Sequence, residues 1–264
     1  MKAVPSAEEK WHALVVDGDT DLLGRKHLTR FYGLLPASAR CRICNLPFAG
    51  FSGKVMHLLG KKSSRVNPHL CSACDDFIRM NPGGVEIRLS MLFADMRGST
   101  SLAEHMKPAE FSKLIDRFYA TATEVLSKTN ALIDKLAGDQ VSCYFVPGLA
   151  GPHHALLAMQ AAQELLQVTG HGKPEGPWVS VGIAVHTGEA FIGSVGNRGR
   201  IIDMTALGDA VNVTARMASN AGPGEILVSL DTCQEAGLDT VGKERRQLSL
   251  KGRSTPVSVA VWEQ

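Results

Sequence analysis

Residues 131–146 read ALIDKLAGDQVSCYFV, and the fold turns on whether this stretch is a helix or a hairpin. Lys135 and Asp139 stand four apart, the spacing of an intrahelical ion pair. Lys before Asp is the poorer order for such a pair, because it opposes the helix macrodipole. Gly138 weakens a helix interior. The residues after Asp139 are β-branched and aromatic, which favours a strand. ALIDKLA can run extended too, so Gly138-Asp139 reads as a hairpin turn. Four extended residues span roughly 13 Å, too far for a direct Lys135–Asp139 bridge. Each side chain then needs its own reason to be there.

The pattern around this hairpin is regular. Residues 86–94 (EIRLSMLFA) predict a strand that is buried towards its end. Pro108–Lys128 predicts a helix, with Pro108 at the favoured first position and an apolar stripe from Phe111 to Leu126. Residues 153–168 predict a second helix and residues 178–185 a strand. HTGEAFIGSV (186–195) reads as a glycine-containing hairpin, residues 207–219 as a third helix, and residues 225–229 and 257–262 as strands. The order begins β-α-β-β-α-β, the ferredoxin-like plan of an α+β domain.

A break at Asn81-Pro82-Gly83-Gly84 divides the chain into an N-terminal module, residues 1–84, and this α+β region, residues 85–264. In the module, residues 21–35 carry Leu22, Leu23, Leu28, Phe31, Tyr32 and Leu35 near helical spacing, and Pro36 ends the run. DGDTD (17–21) lacks the Gly and terminal Glu of a calcium loop, so it reads as a turn and helix cap. Cys41/Cys44 and Cys71/Cys74 form two CxxC pairs, separated by 26 residues. In a reducing compartment this pattern points to tetrahedral zinc; the same thiolates suit an iron–sulfur cluster or a thiol switch. His69 is a further candidate ligand, though four thiolates already complete a site. Cys143, inside a strand, reads as a small buried hydrophobe.

Of 264 residues, 44% are hydrophobic and 20% charged, which is ordinary for a globular protein. A formal net charge of +2 is too small to argue for nucleic acid or a membrane surface. The basic residues between the two cysteine pairs, Lys54, Lys61, Lys62 and Arg65, read as a solvated loop. No apolar run reaches the length of a membrane span, and the first 21 residues lack the core of a signal peptide. The cytoplasm is the expected location.

Three places carry chemistry. Asp95 ends a buried strand, where an acid needs a partner, and the small residues Gly98, Ser99 and Thr100 can turn their amides towards an anion. That combination suits a metal-bound polyphosphate; a capping Asp in a loop fits the spacing equally. Asp139 offers a second carboxylate for hard cations. Asn212 and Arg216 stand four apart on one helical face, able to orient a nucleotide and neutralise a reacting phosphate.

FADMRGST (93–100), KLAGDQVSCYF (135–145), HTGEAFIGSVG (186–196) and DMTALGDAVNVTARM (203–217), in this order and spacing, resemble the class III nucleotidyl cyclase catalytic domain. The resemblance spans about residues 86–264. It implies a palm-type ferredoxin-like fold that turns ATP into 3′,5′-cyclic AMP and pyrophosphate in a head-to-tail homodimer with composite sites. By resemblance, Asp95 and Asp139 bind two Mg²⁺ or Mn²⁺ ions per site, with the Met96 carbonyl as a further ligand. Lys135 matches the lysine that reads adenine, where guanylyl cyclases usually carry Glu. Thr205 matches the second base-reading position, as in a Thr-bearing bacterial subclass often reported as bicarbonate-responsive. Asn212 and Arg216 match the pair that positions ribose and stabilises the transition state. Lys251 in LSLKGRS matches a triphosphate-contacting lysine, with Arg253 close by. Lys135 and Asp139 would then serve opposite sites of the dimer. Two other readings use the same residues: a metal or redox sensor whose cyclase domain only binds nucleotide or dimerises, and a guanylyl cyclase. The resemblance is silent on the cysteine module.

Overall fold

The computed structural model describes residues 5–23, 28–37, 39–196, 202–249, 253 and 255–263. Helix α1 (Ala7–Val15) opens with a capping box: Ser6 accepts from the Glu9 amide and Glu9 accepts from the Ser6 amide. DGDTD forms a turn in which the Asp19 side chain accepts from the Asp21 amide at 3.1 Å. The single helix expected over residues 21–35 is instead a 3₁₀ turn, Thr20–Leu23, followed by α2 (Leu28–Leu34), with residues 24–27 outside the described set. Helix α3 (Gly50–Leu58) lies between the cysteine pairs, and α4 (Ser72–Met80) starts within the second, with Cys71 as its N-cap and Cys74 in its first turn.

The α+β region then runs β1 (Gly83–Met96), α5 (Ser99–His105), α6 (Pro108–Lys128), β2 (Leu132–Ala137), β3 (Gln140–Phe145), α7 (Pro147–Ala150), α8 (His154–Thr169) and β4 (Val181–Gly196). After these come β5 (Ile202–Leu207), α9 (Asp209–Asn220), β6 (Glu225–Ser229), α10 (Leu230–Glu235), β7 (Arg245–Leu248) and β8 (Val257–Glu263). The described strands form one sheet in the order β2-β3-β1-β4-β6-β8-β7, with β5 paired to β4. The first four are the ferredoxin-like β-α-β-β-α-β unit, antiparallel throughout, and only β4 and β6 run parallel.

The expected hairpin at 186–195 is the outer half of one long strand. β4 stays in register with β1 from Val181 to Ser194. Its glycines mark close backbone approach. A Cβ on Gly193 would stand 2.4 Å from the Gly83 carbonyl oxygen and from Gly84 Cα. β5 pairs antiparallel with residues 191–196 of β4.

Strand alternation sorts β1 into two faces. Leu92, Ala94 and Met96 pack under α6 and α8 with Phe118, Leu126, Leu165 and Leu166. Leu89, Met91 and Phe93 point the other way, into a core shared with α9, β5 and the N-terminal module, including all four CxxC cysteines. Trp11 and Phe77 anchor the module in an edge-to-face contact at 5.0 Å, and the fully buried Trp11 indole donates to the Asn81 carbonyl at 2.8 Å. Among the described residues, no helix is long and apolar enough to cross a membrane.

Candidate active site and cysteine cluster

Asp95 continues the Leu89–Met91–Phe93 alternation and faces Gln140 across the β1–β3 pair. Gly138 takes a left-handed conformation, φ 63°, as a two-residue turn demands. The Asp139 carbonyl accepts from the Met96 amide at 3.0 Å, which ties the hairpin tip to the end of β1. From α6, the Tyr119 hydroxyl donates to the Gly138 carbonyl at 2.8 Å. Asp95 and Asp139 are thereby brought within interaction range, as the sequence predicts, and the Ser99 hydroxyl donates to Asp139.

Burial raises the Asp95 carboxyl above its ordinary pKa; the Arg97 guanidinium opposes this and the Asp139 carboxylate reinforces it. Arg97 pairs directly with Asp95 and also donates to the Ser219 and Ala221 carbonyls at 3.3 and 3.2 Å. The sequence signals Arg97 only by its place two residues after Asp95. Two neighbouring carboxylates and a main-chain carbonyl are the donor set of a hard divalent cation. Gly98, at φ 71°, is the N-cap of α5, and no side chain caps the first amides at Ser99 and Thr100. Met96 itself is buried, so only its backbone is available to a ligand.

Lys135 lies on β2 opposite Ser142, exposed, and the residue before it, Asp134, is an extra residue in the ladder. Asp134 is buried beside Thr205 and accepts from the Tyr144 hydroxyl at 2.9 Å. Burial raises its carboxyl, while the Thr205 and Tyr144 hydroxyls and the Lys135 charge oppose the shift. Thr205 and Lys135 both act on Asp134, although β5 pairs with β4 and not with β2. Asn212, exposed, and Arg216, half-buried, stand one turn apart on α9, whose Val213 and Met217 are buried. Lys251 lies outside the described residues. Arg253 is tied to Asp209 in the first turn of α9 at 2.6 Å.

The four cysteines converge. Their Sγ atoms all lie within 4.8 Å of one another, Cys44 and Cys71 at 3.7 Å. Thiolates around a tetrahedral zinc stand about 3.8 Å apart, from a Zn–S distance of about 2.3 Å. Backbone amides support the sulfurs: Cys71 donates to Cys41 at 3.3 Å and Cys74 to Cys71 at 3.4 Å. Burial and the Cys41 and Cys71 thiols raise the Cys44 thiol against an opposing hydrogen bond with Cys74, and the other three thiols with burial raise Cys74. A bound cation would reverse that tendency. His69 is not in the cluster; its carbonyl accepts from the Arg42 amide at 3.0 Å. Cys143 and Cys233 are separate and buried.

The profile of the adenylate and guanylate cyclase catalytic domain matches residues 86–261. An adenylate cyclase of Anabaena cylindrica is 36% identical over 134 residues, 49% of this chain and 26% of that protein. An adenylate cyclase of Mycobacterium bovis is 32% identical over 167 residues, 62% of this chain and 37% of its own length. The chain therefore spans 26–37% of the length of these curated relatives. Among solved structures, the guanylyl cyclase Cya2 superposes with a TM-score of 0.58 at 29% identity, covering 68% of this chain and 93% of that one. The adenylyl cyclase CyaB from P. aeruginosa does so at 0.56 and 26%, covering 68% and 95%. With the sheet order, the paired aspartates and this match in hand, the chain belongs to the adenylate and guanylate cyclase catalytic domain family.

Proposed function

We propose that this chain is an adenylyl cyclase, forming 3′,5′-cyclic AMP and pyrophosphate from ATP as a head-to-tail homodimer. The observation that supports this reading is the exposed Lys135 next in sequence to Asp134, whose buried carboxyl the Thr205 hydroxyl contacts. Lys135 has only donors, and adenine N1 is an acceptor. The Thr205 hydroxyl has a lone pair for the adenine 6-amino group. Guanine N1 carries a hydrogen and would meet Lys135 donor to donor.

Asp95, Asp139 and the Met96 carbonyl would hold Mg²⁺ or Mn²⁺, which supplies Lewis-acid activation of the ribose 3′-hydroxyl and screens phosphate charge. In the reaction, the 3′-oxygen attacks the α-phosphorus, its proton leaves to solvent, and the bond to the pyrophosphate oxygen breaks. Arg216 meets the negative charge that grows on the transferring group, and Asn212 orients the ribose. The amides of Ser99 and Thr100 would donate to polyphosphate oxygens, with Gly98 letting the backbone approach. Lys251 is proposed as a triphosphate contact. Lys135 and Thr205 of one protomer would read the base in the site whose metal aspartates come from its partner. At the four cysteines we propose zinc, with an iron–sulfur cluster as the competing occupant, in a module at residues 1–84 that precedes the catalytic domain at 85–264. The proposed setting is the cytoplasm.

Purified protein with Mn²⁺ and equimolar ATP and GTP tests the assignment by chromatography of the products. Cyclic AMP in clear excess is expected. Cyclic GMP in excess would make it a guanylyl cyclase, and neither product with intact nucleotide binding would leave a non-catalytic sensor. Metal analysis and an absorption spectrum of anaerobically purified protein decide between zinc and a cluster.

A further inference from the structure

Residue 42 is the first position between the paired cysteines of CRIC, and it reaches out of the module into the catalytic sheet. The Arg42 carbonyl accepts from the Ile133 amide at 3.3 Å, and the Arg42 guanidinium donates to the Asp134 carbonyl at 2.9 Å. These two contacts bracket the place where β2 slips register. Leu132 opposes Tyr144 and Ile133 opposes Cys143, but Lys135, not Asp134, opposes Ser142. Asp134 is the unpaired extra residue of a β-bulge.

The slip decides which way Lys135 points. In an unbroken strand, residues two apart share a face, so Lys135 would follow Ile133 into the core under α6 and α8. With the bulge, Lys135 instead shares the face of Ser142 and Tyr144, the face on which β1 carries Asp95. Leu136, opposite Val141, returns to the helix side, where it packs against that core. A bulge leaves a backbone carbonyl without its ladder partner, and a half-buried carbonyl needs one. The Arg42 guanidinium supplies it. Arg42 is held in turn by its own amide, which donates to the His69 carbonyl, and by the knuckle closed by the Asn45 amide on the Cys41 carbonyl at 3.0 Å.

We infer that Arg42 is a positioning residue for the cyclase site: it braces the Asp134 bulge and so keeps Lys135 on the nucleotide face. This rests on the proposed adenine-reading role of Lys135. The module would then act on substrate recognition through one side chain.

The test compares full-length wild type with Arg42→Met, which keeps the apolar stem and loses the donors, and with Arg42→Lys. For Arg42→Met the KM for ATP is expected to rise about tenfold, the scale of one lost hydrogen bond from a charged donor. The ATP-over-GTP preference in kcat/KM should narrow, and kcat at saturating ATP should stay within about twofold, because Asn212 and Arg216 are untouched. Hydrogen exchange at amides 133–136 should quicken, while metal content at the cysteines stays unchanged. Arg42→Lys, with one shorter donor, should fall between. Unchanged KM, base preference and exchange in Arg42→Met would overturn the inference. If Arg42→Met does not fold, Arg42→Lys decides: a raised KM with faster exchange supports the brace, and wild-type values for both sink it. A wild type that neither binds nor turns over ATP would sink the functional reading alone, since the exchange measurement still reports on the brace.

Discussion

Asp95 shows how single residues set this site. It is half-buried, near a second carboxylate, and balanced by Arg97. The two acids were legible only as part of a set: each alone fits a capping or turn Asp equally, and the resemblance of the surrounding motifs paired them. Arg97 and Arg42 were not, because nothing in one sequence says which exposed-looking arginine will turn inward. Arg216 gives the sharpest chemical prediction. Arg216→Ala should lower kcat by about 10²–10³, the scale of one transition-state charge contact, with KM for ATP changed far less; a loss confined to KM would reassign it to ground-state binding. His186 gives a pH prediction that does not depend on the chemistry. Burial lowers its pKa to about 4; Asp231 and Asp209 oppose this, and Arg253 and Arg88 add to it. Its Nδ1 lies 2.8 Å from the Ser229 hydroxyl. The unfolded chain takes up this proton near pH 6.5 and the folded chain only near pH 4. Between those values the unfolded state binds more protons, so stability falls as pH drops. From pH 7 to pH 5 this imidazole should remove about 2 kcal/mol. Urea melts of wild type and His186→Gln read the effect as a shallower pH slope in the variant. His154 and His171 are lowered by burial too, so a residual slope of the same sign should remain.

At the scale of elements, legibility followed local chemistry. α6 runs Pro108–Lys128, the bounds that Pro108 and the apolar stripe predict. The Gly138-Asp139 turn was readable because only a hairpin makes sense of a positive-φ glycine between two β-rich runs. β4 was misread because glycines that usually punctuate turns here admit a neighbouring backbone. Gly193→Ala tests that reason: its Cβ would meet backbone atoms of Gly83 and Gly84 at 2.4 Å, and backbone cannot swing aside as a side chain can. The variant should lose about 2 kcal/mol or more, measured as a lowered urea midpoint with an unchanged m-value. A shift under about 0.5 kcal/mol would mean that β1 and β4 separate there without penalty. β7 escaped detection because RRQL carries no apolar alternation; it pairs with β8 at the end of the sheet, and Arg246 is held by Glu225 and Glu244. The bulge at Asp134 has no signature in ALIDKLA, since it is fixed by a side chain 92 residues away.

Across the whole molecule, the module and the sheet share one apolar core that includes the CxxC cysteines together with Met91, Leu132 and Val213. The order of the catalytic elements was visible in the sequence; this docking was not, because a CxxC pair predicts what it binds and not where it packs. The proposed dimer makes its own demand on the arrangement. Lys135 and Asp139 are separated by Leu136, Ala137 and the turn glycine, and each has different neighbours: Asp134 and Ser142 for one, Ser99 and Met96 for the other. If they serve two different sites, defects in them are complementary. A Lys135→Ala chain retains metal aspartates, and an Asp139→Ala chain retains the base-reading and Asn212/Arg216 set. Each homodimer should be inactive at limiting ATP. In a mixed dimer, one site collects both defects and the other collects none. Random exchange of equal amounts makes half the dimers mixed, each with one working site of two, so activity should recover to about a quarter of wild type. Differently tagged chains, copurified to confirm the heterodimer and assayed for cyclic AMP, carry out the test. Confirmed heterodimers without recovered activity would place Lys135 and Asp139 in the same site and overturn the composite arrangement.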